Sequence, residues 1–245
     1  MRDQQMKTSL LILTLNELEG MRLIAPEIPA KKFDQILVID GGSTDGTQEY
    51  ARGLGFEVYE QKRPGLRNAY IEALPLIRGD VVVCFSPDGN SLTECLEPLL
   101  KKMDEGFDMV IVSRYLEDAV SEDDDLITGF GNWLFTSLIN VLHGGSYTDA
   151  MVMYRAFKKE LFFRLDLDKE QTYWPERYLR TNICLMPILS IRAAKAGLMI
   201  GEIPGDEPAR VGGERKLQVV RWGAAYLLQI FLEKFYWRSQ AAGGI

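Results

Sequence analysis

The sequence predicts an α/β fold on a largely parallel sheet, and three observations carry that reading. Short apolar, β-branched runs recur through the first half, separated by stretches with helical spacing. The runs are nearly continuous rather than alternating, as strands covered on both faces require. Two of them, 35–39 and 80–85, stop at Gly-containing turns that carry an aspartate.

In order, 9–15 reads as a strand and 18–28 as a helix. Residues 35–39 form the second strand and 48–54 a helix. A short strand at 57–60 precedes a helix at 66–77. The Val-rich stretch 80–85 is the buried central strand, 94–103 a helix and 109–113 a strand. After Arg114 the alternation breaks. Residues 117–125 are acidic, with Asp123, Asp124 and Asp125 in succession, and read as a solvated loop, with metal binding the minor alternative. A strongly apolar helix is expected over 131–142, a strand over 151–157 and a short helix over 159–165. Residues 187–196 read as a helix and 198–203 as a strand ending at Pro204. Residues 206–216 are a polar loop rich in Gly and Arg, and 217–237 a long helix. No repeat or linker divides the chain, which reads as one domain over 1–216 with a C-terminal helix and tail over 217–245.

The 245 residues are 47% hydrophobic and 26% charged, ordinary for a globular protein. A net charge of −7 argues against a nucleic-acid partner. Three cysteines form no paired framework and point to a reducing compartment. The single histidine, His143, rules out a His-rich zinc site, so any metal must sit on oxygen. The polar N-terminus lacks a signal-peptide core, and a cytoplasmic location is expected.

The most informative stretch is 38–47, Val-Ile-Asp-Gly-Gly-Ser-Thr-Asp-Gly-Thr. A strand enters a tight turn that offers carboxylate, hydroxyl and N–H groups, and a helix follows. Open α/β sheets bind nucleotides at such strand ends. The first strand ends in Leu15-Asn16-Glu17, beside Asp40, with helix capping by Asn16 as the simpler role. The central strand runs into Ser86-Pro87-Asp88-Gly89-Asn90. Asp88 with Asn90 or Ser86 offers oxygen to Mg²⁺ or Mn²⁺, although a Pro-Asp-Gly turn needs no ligand.

Asp40 and Asp88 at two strand ends, with Asn16-Glu17, resemble the nucleotide half of GT-A glycosyltransferases, family 2 in particular. Gly65-Leu66-Arg67-Asn68-Ala69-Tyr70, Val112-Ser113-Arg114-Tyr115, Tyr147-Thr148-Asp149 with Tyr154-Arg155-Ala156-Phe157, and Glu202-Ile203-Pro204 with Arg210 and Gly213-Glu214-Arg215-Lys216 resemble segments of polyprenyl-phosphate sugar transferases such as dolichol-phosphate mannose synthase. The likeness covers about residues 9 to 217, in order. Two positions depart from it. Gly41 stands for the second aspartate of the turn, and Ser86 for the first aspartate of the metal motif.

The resemblance implies an inverting transfer of a sugar from a UDP-, GDP- or TDP-linked donor to a lipid phosphate or glycan acceptor. Donor binding is expected at Leu15, Asn16, Glu17, Asp40, Gly41, Gly65, Arg67, Asp88, Arg114 and Arg215, with the metal on Asp88 and Asn90. The metal would offset charge on the departing diphosphate. Arg210, Arg215 and Lys216 would close over it. A phosphate acceptor needs no general base; a hydroxyl acceptor needs a carboxylate, Asp149 first and Glu176 second. The part of the last helix rich in Leu, Tyr, Phe and Trp, 222–237, has too short an apolar run to span a bilayer. It suits either a membrane interface on the cytoplasmic side or packing on the domain. His143 is expected to help end a helix beside Gly144. The rivals are a nucleotide-sugar-binding module without turnover and, ranked lower, a sugar nucleotidyltransferase.

Overall fold

The computed structural model describes residues 6–169, 172–211 and 219–237. Its centre is a seven-stranded sheet of β1 (Thr8–Thr14), β2 (Gln35–Asp40), β3 (Glu57–Glu60), β4 (Val81–Phe85), β5 (Met109–Ser113), β6 (Arg155–Lys158) and β7 (Ile200–Pro204), in the order β3-β2-β1-β4-β6-β5-β7. All neighbouring pairs are parallel except those of β6, which is antiparallel to β4 and β5. The carboxyl ends of six strands and the start of β6 therefore share one edge. β1 pairs with β2 on one side, Thr14 opposite Asp40, and with β4 on the other, Ile12 opposite Phe85.

Strand side chains alternate faces, and both faces are buried. Leu11, Leu13, Leu37, Ile39, Val82 and Cys84 share one core with α3 (Leu66–Ala73), α5 (Leu126–His143), α8 (Leu185–Lys195) and α9 (Val219–Tyr236). Leu10, Ile12, Val38, Val81, Val83 and Phe85 share the other with α1 (Leu18–Ile24), α2 (Thr47–Gly53) and α4 (Leu96–Asp104). The short helices α6 (Leu161–Arg164) and α7 (Trp174–Leu179) complete the second half.

Several boundaries differ from expectation, two of them for a clear local reason. α5 starts at Leu126 rather than 131, because Asp125 accepts from the N–H groups of Ile127 and Thr128 and forms a capping box. The expected strand 151–157 shortens to β6. α8 starts two residues before Pro187, which the first turn of a helix tolerates.

α9 is bound into the domain by buried polar contacts as well as by packing. Arg192 pairs with Glu233 at 3.1 Å, both side chains almost wholly buried. Tyr226 Oη accepts from the Cys184 N–H at 3.0 Å, and Trp237 Nε1 donates to Asp166 at 3.1 Å. His143 is buried and its Nε2–H donates to the Ile230 carbonyl at 2.8 Å, while Gly144, at φ 76°, caps α5. The histidine is thus a clamp between helices rather than a cap. α9 still exposes Phe231, Phe235 and Tyr236 on its far side. No helix among the described residues is long and apolar enough to cross a membrane.

Burial holds the His143 pKa below its ordinary 6.5. The unfolded chain therefore takes up the proton first as pH falls. The stability that neutral His143 contributes is complete above about pH 6.5 and declines as pH drops toward the folded-state pKa. The urea midpoint should fall between pH 7.5 and 5.5, and His143→Gln, which keeps an N–H for Ile230, should flatten that slope. An unchanged slope would remove His143 as its source; the chain has no second histidine.

Candidate functional site

The carboxyl edge of the sheet starts with the turn after β2. Asp40 is fully buried. Its Oδ1 accepts from the N–H groups of Gly42 (3.0 Å) and Ser43 (2.7 Å) and from Gln48 Nε2 (2.7 Å). Its Oδ2 accepts from Thr14 Oγ1 (2.8 Å) and Ser43 Oγ (2.6 Å). Burial alone would raise its pKa, but the bonds from Ser43, Thr14 and Gln48 prevail and hold it below the usual carboxylate range. Asn16, at φ 56°, accepts from the Thr44 N–H at 2.9 Å and donates its own N–H to Ser43 Oγ at 2.7 Å. Asp45 accepts from Leu18 N and Thr47 N, both at 3.0 Å. The signature turn is a closed cage. Asp40, expected to touch the donor, is its centre and has no free valence. Leu15 (39% exposed), Gly41 and the exposed Asn16 face outward beside it, and Glu17 is half-buried.

The turn after β4 approaches this cage through α1. A Cβ at Gly20 would lie 2.1 Å from the Pro87 carbonyl oxygen, so only glycine lets α1 pack here. Asp88 and Asn90 are both buried. Gly89, at φ +92°, lets the Asp88 carbonyl accept from Val211 N at 2.8 Å. The expected loop 206–216 thus returns to β4 and brings Arg210 with it. Arg210 Nη1 lies 3.0 Å from Asp88 Oδ2, and Nε 3.4 Å from Asp123 Oδ2. Asn90 Nδ2 donates to the same Asp123 oxygen at 3.2 Å. Among the described residues, Asn90 Oδ1 is buried without a hydrogen-bond partner. Arg215 and Lys216, expected on this loop, lie outside the described residues, as do Gly213 and Glu214.

A divalent cation fits this corner by donor chemistry. The atoms are hard oxygens, and the orphaned Asn90 oxygen lacks only a positive partner. No group of three or more His, Cys, Asp or Glu suited to a metal occurs among the described residues. Phosphate and water would therefore fill the other positions, as Mg²⁺ usually arranges.

The end of β5 holds a second charged cluster. Arg114 Nε donates to Asp149 Oδ2 at 2.7 Å and Nη2 to Oδ1 at 3.2 Å, while Nη1 reaches Glu207 at 2.9 Å and Asp124 at 3.5 Å. Burial works against the guanidinium charge, but Asp149, Glu207 and Asp124 outweigh it and raise the Arg114 pKa. Asp149 is wholly buried and also accepts from Met151 N and Val152 N. Glu202, on β7, accepts from Thr148 N, Thr148 Oγ1 and Asp149 N and so positions this segment. Asp149 is no free base, and Arg114 no free phosphate ligand: each already holds the other.

The remaining candidates form a third pair. Arg67 meets Glu176 through two contacts of 2.6 and 3.0 Å and also donates to the Ile183 carbonyl at 3.2 Å. Glu176 accepts from Tyr173 N (2.8 Å) and Ile183 N (2.6 Å). Gly65, at φ +103°, starts α3 next to Asn182. The pair ties α3 to α7, so Glu176 is not positioned as a proton acceptor. The simpler expectation for Arg114, pairing with the acidic loop, holds at Asp124, whereas Asp123 and Glu207 were missed as partners of Arg210 and Arg114; the run of three aspartates was the available signal for Asp123.

Residues 11–165 match the profile of glycosyl transferase family 2. The chain belongs to this family. It is a glycosyltransferase with the GT-A fold. It is 31% identical over 191 residues to a dolichyl-phosphate hexose transferase of Haloferax volcanii, covering 78% of this chain and 77% of the relative. It is 27% identical to the glycosyltransferase AglJ of the same organism, covering 89% and 69%. Glucosyl-3-phosphoglycerate synthase of Mycobacterium tuberculosis, solved with Mg²⁺ and UDP, superposes with a TM-score of 0.66 at 20% identity, covering 94% of this chain and 79% of that one.

Because Asp40 satisfies five donors, Asp40→Ala should lower stability by about 3 kcal/mol or more in urea unfolding. A loss below about 1 kcal/mol would contradict its role as the centre of the turn.

Proposed function

We propose that this family 2 glycosyltransferase moves a hexose from a nucleoside-diphosphate donor to the phosphate of a polyprenyl-type lipid, with a divalent cation at Asp88 and Asn90. One observation carries the choice of acceptor: both carboxylates suited to deprotonating a hydroxyl are committed elsewhere. Asp149 is wholly buried on Arg114, and Glu176 is buried on Arg67. A phosphate is already ionised near neutral pH and attacks without a general base. The names of relatives support the same reading: a dolichyl-phosphate hexose transferase and a polyprenol monophosphomannose synthase of Mycolicibacterium smegmatis, 28% identical over 218 residues.

When bound, the cation would supply positive charge against the departing diphosphate; synthase structures of the same fold are solved with UDP and Mn²⁺ or Mg²⁺. The chain's own groups prepare the site. Asp88 and Asn90 present oxygen, Leu15 and Gly41 leave an uncharged wall beyond the cage, and Arg210 lies within reach of the same corner. Arg suits diphosphate because its planar fork donates to two oxygens at once.

A lipid acceptor also accounts for apolar surface. On the first turns of α5, Leu126 is 95% exposed, with Ile127, Phe130 and Trp133 exposed beside it. We place peripheral contact with the cytoplasmic face of a membrane on this helix and on the outer side of α9.

Incubation with UDP-, GDP- or TDP-hexose and Mg²⁺ or Mn²⁺ should glycosylate polyprenyl phosphate and leave the matching polyprenol unmodified. Equal transfer to the alcohol would overturn the acceptor assignment. In vesicle co-sedimentation, Phe130→Ser with Trp133→Ser should reduce bound protein severalfold, whereas undiminished binding would move the contact away from α5.

A further inference from the structure

We infer that Asp123, in the acidic loop between β5 and α5, supplies a second carboxylate to the divalent-cation site of Asp88 and Asn90, and that the Arg210 guanidinium holds this site closed until cation and diphosphate displace it. This deepens the metal-assisted transfer proposed above and rests on it.

Asp88 and Asp123 belong to different loops, and one positive group joins them. Arg210 stands 3.0 Å from an oxygen of Asp88 and 3.4 Å from an oxygen of Asp123. Two part-buried carboxylates facing one point repel each other unless a cation lies between them. Asn90 adds an independent sign. Its amide nitrogen is fixed on Asp123 at 3.2 Å, yet its amide oxygen is buried and unpartnered among the described residues. A guanidinium offers five donors in one plane and does not satisfy this oxygen, whereas a small hard cation accepts oxygen from any direction. The donor set of two carboxylates and one amide oxygen leaves the other positions to phosphate and water, a pattern that suits Mg²⁺ or Mn²⁺.

The charge count gives the exchange its logic. Ser86 provides no carboxylate, so Asp88 alone would bind a divalent cation weakly; Asp123 restores the missing charge from a distant part of the chain. In the metal-free protein Arg210 offsets one of the pair's two negative charges. On cation entry the guanidinium is released at a place where the diphosphate brings its own negative charge. Arg210 and the metal therefore compete for the two carboxylates, and the removal of either side has opposite effects on metal affinity.

The test measures Mn²⁺ binding to the full chain through the paramagnetic resonance signal of free Mn²⁺, with no nucleotide and then with UDP or GDP. Asp123→Asn should weaken binding about tenfold or more, as Asp88→Asn should. Arg210→Gln should strengthen nucleotide-free binding severalfold. Glu122→Gln, which removes an exposed charge from the same loop, should leave affinity near that of the wild type. Thermal unfolding of each variant identifies any loss of fold, and Asp123→Ser serves as a second variant if Asp123→Asn is misfolded. Wild-type affinity in a folded Asp123 variant, alongside loss in Asp88→Asn, overturns the assignment of Asp123. Unchanged or weaker binding in Arg210→Gln overturns the exchange. Absence of Mn²⁺ binding by the wild type with every nucleotide overturns the metal reading above as well.

Discussion

A carboxylate taken out of water must be met by donors or by positive charge, and that requirement arranges the whole carboxyl edge of this sheet. Asp40 is met by five donors of its own turn and its neighbours. Asp149, Asp124 and Glu207 are met by Arg114, Glu176 by Arg67, and Asp88 with Asp123 by Arg210. Each arginine joins segments far apart in the chain. The charges that look catalytic in the sequence are, in large part, what holds the loops over the strand ends.

This division separates two kinds of group. Asp40, Asp149 and Glu176 are buried and saturated, and their electrostatics are spent on shape. Asp88, Asn90 and Arg210 are held more loosely: Arg210 is about one-third exposed and one Asn90 oxygen has no partner. Loosely held charge with unsatisfied oxygen is where a ligand gains most from binding, because fewer internal contacts have to be broken. The corner proposed for the cation lies at the β1–β4 crevice, where the order of strand connections reverses, as open α/β sheets place their ligands.

The second half of the chain supports that edge from behind. β6 runs against its neighbours, so the Thr148–Asp149 segment that precedes it comes to the carboxyl edge, where Glu202 of β7 accepts from its N–H groups. α9 closes the core over α5 and α8 through the buried Arg192–Glu233 pair and the His143 contact. The apolar side chains left exposed on α5 and α9 lie on the outer surface of the same packed layer.

The sequence by itself determined the sheet. Strand runs at 9–15, 35–39, 80–85 and 109–113 appear within one or two residues of their observed ends, because burial on both faces demands unbroken apolar stretches. It also determined which turns carry polar groups, since Gly, Asp and Ser at strand ends are local signals. What it did not determine was which charges remain available. Asp149 and Arg114 are 35 residues apart and Arg67 and Glu176 are 109 apart, so their pairing is invisible to local pattern. The run Asp123–Asp124–Asp125 looked like one solvated stretch, yet the three side chains face Arg210, Arg114 and the α5 N-terminus respectively. Only tertiary folding decides that, because the worth of a charge depends on the partner that burial forces upon it.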